Sequence, residues 1–127
     1  MSHRELDVEG LPEAISHYAD AVLAGDTLYI SGIVPLGANG EVVGDDVAAQ
    51  AEQVFDLMGR VLDAAGGGPG DVAKVTVYLL DIDDRPKINP VRQRFFGEAK
   101  PASTLIEVSR LAVPGVLLEI EAVAHLG

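Results

Sequence analysis

At 127 residues the chain is long enough to bury one core and too short for two, so a single domain over 1–127 is expected. Twenty acidic residues against nine basic ones leave a formal net charge of −11, a surface that repels nucleic acid, because polyanions bind mainly through phosphate neutralisation by Lys and Arg. Cysteine is absent, which excludes disulfides, thiolate metal sites and a cysteine nucleophile.

Apolar residues make up 48% of the chain and aromatics only 5%, so the core must be built from Val, Leu, Ile and Ala. No apolar run approaches the length of a membrane span, and Met1-Ser2-His3-Arg4-Glu5 has no signal-peptide apolar segment. A soluble cytoplasmic protein with no membrane partner is expected.

Glycines and prolines divide the chain. Ala19 to Leu23 and Thr27 to Ser31 are short β-prone runs separated by Gly25-Asp26, which suits a hairpin or tight turn. Gly37 to Glu41 reads as a loop. From Asp46 to Ala65 the apolar residues Val47, Ala51, Val54, Phe55, Met58, Val61, Leu62 and Ala65 fall at helical spacing, with Asp45 or Asp46 available as N-cap. That helix must stop at Gly66-Gly67-Gly68-Pro69-Gly70, a loop with no Lys-Ser/Thr after it and so no phosphate cradle. Val72 to Leu80 alternates as a strand.

A second helix lies between Asp84 and Gly97, with two possible starts. If Pro86 sits in the first turn, Pro90 lacks the amide that would bond the Pro86 carbonyl, and the helix must kink; otherwise Asn89 caps a helix that begins at Pro90. Ala102 to Val108 and Val116 to Ala124 complete the order ββαβαββ, an α+β arrangement with two helices on one face of a sheet. In the last strand Leu118, Ile120, Ala122 and Ala124 share one face, and Leu117, Glu119, Glu121 and Val123 the other. With Tyr78, Leu80 and Leu105 expected on that second face, it mixes apolar groups with carboxylates and hydroxyls, and burial in an oligomer suits it better than water.

The run Lys100-Pro101-Ala102-Ser103-Thr104-Leu105-Ile106-Glu107-Val108-Ser109-Arg110-Leu111, followed by Leu117-Leu118-Glu119-Ile120-Glu121-Ala122-Val123-Ala124, resembles the signature of the Rid family. These are the reactive-intermediate imine deaminases, also called YjgF or endoribonuclease L-PSP proteins, whose pattern reads P-A-R-S-x-(V/I)-x-V-x-x-L and then E-I-E-A-(I/V)-A. Ile15-Ser16-His17-Tyr18 and Leu28 to Pro35 resemble the family's A-I-G-P-Y and I-x-x-S-G-Q-I-P segments, and Asn89 with Phe95-Phe96 matches V-N-x-x-(Y/F)-x-x-F-F. The chain departs at Ser103, where the deaminases place the arginine that binds the substrate carboxylate, at Ile33 for the usual glutamine, and at His17 where proline is common.

The resemblance implies a chorismate-mutase-like fold assembled as a homotrimer, with three clefts between subunits that take a small-molecule substrate. Carried over residue by residue, it implies that Glu119 orients the hydrolytic water, that Tyr18 and Ser31 line the cleft, and that Gly32 lets backbone approach the ligand. Asn89 then supports the neighbouring wall, and Ser103, Thr104 and Leu105, on the matched strand, are expected to bind substrate. Plainer readings stand beside these. Glu119 and Glu121 have the periodicity of outward, solvated carboxylates, Tyr18 of an interface residue, Asn89 of a helix cap, and Arg92 and Arg94 of a solvated helical face. His3, His17 and His125 have no metal-ligand spacing, and neither metal nor organic cofactor is expected.

Imine hydrolysis requires a positioned water, a group to take its proton and donors near the leaving nitrogen. A partly buried carboxylate at Glu119 has the chemistry to move protons both ways. Serine cannot imitate a bidentate guanidinium, so either the substrate lacks that carboxylate or another cation, Arg92, Arg94 or Lys100, reaches the pocket. A site rich in hydroxyls from Ser103, Thr104 and Ser31 points to a neutral or differently placed polar substrate, an enamine, imine or related amide. The expectation is thus a small-molecule hydrolase or deaminase. A non-catalytic metabolite-binding trimer is the alternative, and the acidic surface weighs against a ribonuclease or translation inhibitor.

Overall fold

The structure is a computed structural model that describes residues 3–127; Met1 and Ser2, which belong to the N-terminal run read above for a signal-peptide segment, lie outside the described residues. Its strands are β1 (His3–Leu6), β2 (Ala21–Ala24), β3 (Thr27–Ile33), β4 (Val72–Leu79), β5 (Ala102–Glu107) and β6 (Leu118–His125). They form one mixed sheet in the order β1-β2-β3-β6-β4-β5. Every neighbouring pair is antiparallel except β4 with β5, which the crossover helix between them makes parallel.

Helices α1 (Val47–Ala64) and α2 (Arg85–Phe96) send their apolar residues into the same core as Leu28, Ile30, Val75, Val77, Leu118 and Ile120. This is the α+β architecture expected, with one addition: β1 precedes the first anticipated strand, giving βββαβαββ. The sequence His-Arg-Glu-Leu carries no alternation to announce it; three of its four residues are exposed, and only pairing with β2 defines it.

Asp46 caps α1 by accepting a hydrogen bond from the Ala49 amide at 2.8 Å. Of the two starts open for α2, the earlier is taken: Pro86 sits in the first turn and Pro90 lies inside the helix. Burial of Ile88, Val91 and Phe96 holds the helix together across that proline, whose missing amide leaves the Pro86 carbonyl without its helical partner. All three phenylalanines of the chain cluster where the helices meet, with Phe55–Phe95 centroids 4.8 Å apart and Phe95–Phe96 4.9 Å apart.

The register sorts the strand residues by face. Ser103 pairs with Val75, which pairs with Ala122, and Leu105 pairs with Val77, which pairs with Ile120; both rows lie on the helix-covered side. Leu105 therefore packs against the core and not on the open face where the alternation placed it. The open face carries Tyr29, Tyr78, Thr104, Ile106, Glu119, Glu121 and Val123, with Tyr29 51% and Ile106 41% exposed.

Gln50, 2% exposed, is the one buried polar side chain among the described residues. Its Nε2 donates to the carbonyls of Gly44 (3.2 Å) and Gly115 (3.1 Å), and its Oε1 accepts from the Leu117 amide (2.7 Å). One side chain of α1 thus ties down the loop that enters β6. Replacing it by the similarly sized Leu strips buried backbone groups of partners at about 1–3 kcal/mol each. Gln50→Leu should lower unfolding stability in urea by about 3 kcal/mol in total, and a loss under 1 kcal/mol would show that water replaces these bonds.

Candidate functional site

The register of β3 against β6 slips at one place. Ile30 pairs with Ala122 and Ile33 with Ile120, so Ser31 and Gly32 together oppose the single residue Glu121. This is a β-bulge, the local irregularity that re-aims side chains beside sites. Ser31 turns inward, its hydroxyl donating to the Ala19 carbonyl at 2.6 Å and its amide to Asp20 O at 3.1 Å. Those bonds fasten the segment before β2 against the bulge and bring Tyr18 alongside.

Gly32 meets Glu119. A Cβ at position 32 would stand 2.1 Å from Glu119 Oε2 and 3.0 Å from its Cδ, so the carboxylate occupies the space a side chain would fill. What Gly32 admits is the acid itself, where the resemblance implied the ligand. Glu119 is half-buried there, and its carboxyl is raised above the ordinary glutamate value, first by burial and then by the negative charge of Glu121. Glu121 remains exposed and accepts from Tyr78 Oη at 3.0 Å.

A cavity of about 290 Å³ opens over this carboxylate, lined by Tyr18, Ser31, Gly32 and Glu119 together with an apolar wall of Ile15, Val34 and Val113. Tyr18 is largely exposed at its rim, its hydroxyl accepting weakly from the Ile15 amide at 3.4 Å. The walls at Val34, Ala112 and Val113 were missed in the sequence, because loop residues of ordinary type carry no periodic signal.

The remaining anticipated residues lie elsewhere. Asn89 borders a second cleft of about 190 Å³ with Arg92, Phe96 and Lys100, beside β5. Arg92 Nη2 donates to Ser103 Oγ at 2.9 Å, which takes Arg92 out of the purely solvated helical face expected for it. Thr104 points to the opposite side and accepts from Lys74 Nζ at 2.8 Å. Ser103, Thr104 and Ser31 accordingly form no common hydroxyl pocket within one chain. Ser103 lies two strands from β6 and three residues along it from Glu119, about 10 Å in each direction, and on the other face.

Among the described residues no group of three His, Asp or Glu side chains stands close enough to hold a metal ion, and no helix is long and apolar enough to cross a membrane.

The model of the endoribonuclease L-PSP family matches residues 9–126. The chain belongs to this family. A RutC family protein of Pyrococcus horikoshii is 45% identical over 118 residues, covering 92% of this chain and 93% of its own. The 3-aminoacrylate deaminase RutC of Acinetobacter baylyi is 39% identical over 93% of this chain and 94% of its own. The 2-iminobutanoate/2-iminopropanoate deaminase of Escherichia coli is 36% identical over 95% and 96%. Among solved structures, the YjgF gene product of E. coli superposes with a TM-score of 0.88 at 37% identity, covering 96% of this chain and 98% of that one. The bulge, the half-buried glutamate and the parallel β4–β5 edge are therefore set in an L-PSP fold.

The contact between Gly32 and Glu119 is directly testable. Gly32→Ala should drive the carboxylate out of its half-buried seat, and a carbon-13 NMR titration should find its pKa fallen towards the ordinary value. Glu121→Gln should move the same titration in the same direction by removing a like charge. An unshifted titration in Gly32→Ala would mean that the acid is not seated against the bulge.

Proposed function

We propose that this chain is a hydrolytic deaminase of small enamines and imines, with Glu119 as the acid/base group. The half-buried carboxylate set against Gly32 beneath an apolar-walled cavity carries this reading. A carboxyl raised by burial sits closer to neutral pH, where one group exchanges protons in both directions most effectively. The two deaminases described above bear the names of such substrates, an enamine in 3-aminoacrylate and an imine in 2-iminobutanoate.

The reaction proceeds in balanced steps. An enamine first takes a proton from solvent at carbon to become the iminium, the form an imine reaches by protonation at nitrogen. Ionised Glu119 accepts a proton from water as the oxygen attacks the C=N carbon, giving a tetrahedral aminoalcohol. The protonated acid returns that proton to nitrogen, and as the C–N bond breaks the regenerated carboxylate takes the hydroxyl proton, so that ammonia leaves, a carbonyl compound remains and the proton passes to solvent. The walls of Ile15, Val34 and Val113 limit competing water, Tyr18 Oη stands at the rim where a donor to the substrate is required, and the Ser31 hydroxyl, its proton given to the Ala19 carbonyl, offers only an acceptor.

One copy of the chain holds only half of this cleft. The cluster of Asn89, Arg92 and Ser103 faces away from Glu119, so a small substrate reaches both only if a second copy supplies one of them. The open face, with Tyr29, Ile106 and Val123, is the surface such assembly would cover. A homotrimer closing three equivalent clefts is the proposed form, and light scattering at micromolar concentration should give three times the chain mass. A stable monomer would remove the shared cleft.

Glu119→Gln should keep fold and assembly but lower turnover at least about 100-fold, followed as keto acid released from imines generated in place by enzymatic dehydration of threonine. Wild-type turnover in the variant would leave Glu119 as a mere acceptor in a binding module. Stability gives a second readout. The raised pKa means that the native state binds more protons than the unfolded chain between the ordinary and the raised value, so wild-type stability falls as pH rises through that window. The amide escapes this loss, and the melting temperature of Glu119→Gln should exceed that of wild type above the window and match it below.

A further inference from the structure

We propose that Arg92 binds the substrate carboxylate in this chain, its guanidinium held in place by Ser103. This deepens the deaminase reading and rests on it for the identity of the ligand. Arg92 projects from α2 towards β5, and its Nη2 donates to Ser103 Oγ at 2.9 Å. The serine stands where the strand motif P-A-R-S has arginine, and Arg92, three residues after Asn89, stands where the helix motif V-N-x-x-(Y/F) has an aromatic ring. The two departures touch each other. A guanidinium lost from the strand is replaced by one arriving from the facing helix.

The state of Arg92 fits an anion site. It is half-buried, and burial lowers its pKa from the ordinary arginine value, the mark of a charge partly stripped of water. The ion pairs among the described residues use Arg60, Lys87 and Arg94, and none uses Arg92, in a chain with 20 acidic residues. A partly desolvated cation with no anionic partner is stabilised by a ligand that brings the charge. Ser103 takes one donor, leaving enough N–H groups for a bidentate fork.

The other candidate cations fit less well. Arg94 is paired with Glu52 and turned to the groove between the helices. Lys100 borders the same cleft of about 190 Å³ as Arg92 but makes no hydrogen bond that would fix it there. Of the two outcomes left open by Ser103, the structure favours a carboxylated substrate read by a relocated arginine over a neutral one.

Equilibrium binding separates this inference from catalysis. The probe is 2-oxobutanoate, a keto acid that cannot be deaminated, with butanone as its uncharged counterpart, titrated by calorimetry or NMR into wild type and variants of confirmed fold and assembly. Arg92→Gln should weaken 2-oxobutanoate by about 10- to 100-fold, the worth of a charge-assisted bidentate contact, and leave butanone unchanged. Arg92→Lys should retain part of the affinity, and Arg92→Tyr combined with Ser103→Arg should restore it. Because 2-oxobutanoate is not turned over, these titrations read binding alone, and a failure of the catalytic reading does not touch the result. Equal 2-oxobutanoate affinity in wild type and Arg92→Gln, or no binding by wild type, would overturn the assignment.

Discussion

The alternation of β6 is the constraint on which the site depends. Leu118, Ile120, Ala122 and Ala124 must face the helices because they fill the core between β3 and β4. A strand has only two sides, so Glu119 and Glu121 are committed to the other. Slipping the register by one residue would bury two carboxylates and expose four apolar side chains, and that energetic gap holds Glu119 in place more firmly than any bond it makes. The bulge in β3 then converts an ordinary outward carboxylate into a half-buried one, because the extra residue brings Gly32 beneath it.

The second half of the molecule answers to a different rule. β5 is parallel to β4 and forms the edge of the sheet, positioned by the crossover through α2. Its covered face meets the end of that helix, which is how residues 11 positions apart, Arg92 and Ser103, come within hydrogen-bonding distance. The cluster of Phe55, Phe95 and Phe96 fixes the pitch of α2 on α1 and so the direction in which Arg92 leaves the helix. Core packing and the bond from Arg92 to Ser103 are joined here by the same turn of helix.

Much of this was legible in the sequence, for reasons that can be named. The period of α1, its Asp46 cap and the alternation in β4 and β6 are local patterns, and the structure reproduces them to within a residue or two. The family also shows itself in short segments whose order and spacing are linear properties. Other features were not linear. β1 is an exposed tetrapeptide defined only by its neighbour, and Leu105 changes face because the alternation of an isolated strand has no absolute phase until its partner is known. Pro90 argued for a later helix start, and burial of Ile88, Val91 and Phe96 overrode it. The Ser-Gly pair in β3 was the one sequence signal of the bulge, yet which group would approach it depends on the antiparallel partner.

The seat of Glu119 also governs how this protein can change over generations. Positions 32 and 119 are 87 residues apart in sequence but share one volume, so the tolerance of each is conditional on the other. A side chain at 32 takes the space of the Glu119 carboxylate, the far end of a flexible side chain, and so displaces the acid from its seat. Substitution at the strand position must therefore come first and the glycine second, and the reverse order passes through a displaced carboxylate. A lineage that depends on the seated glutamate is thereby held to glycine at 32, and one without glutamate at 119 is not.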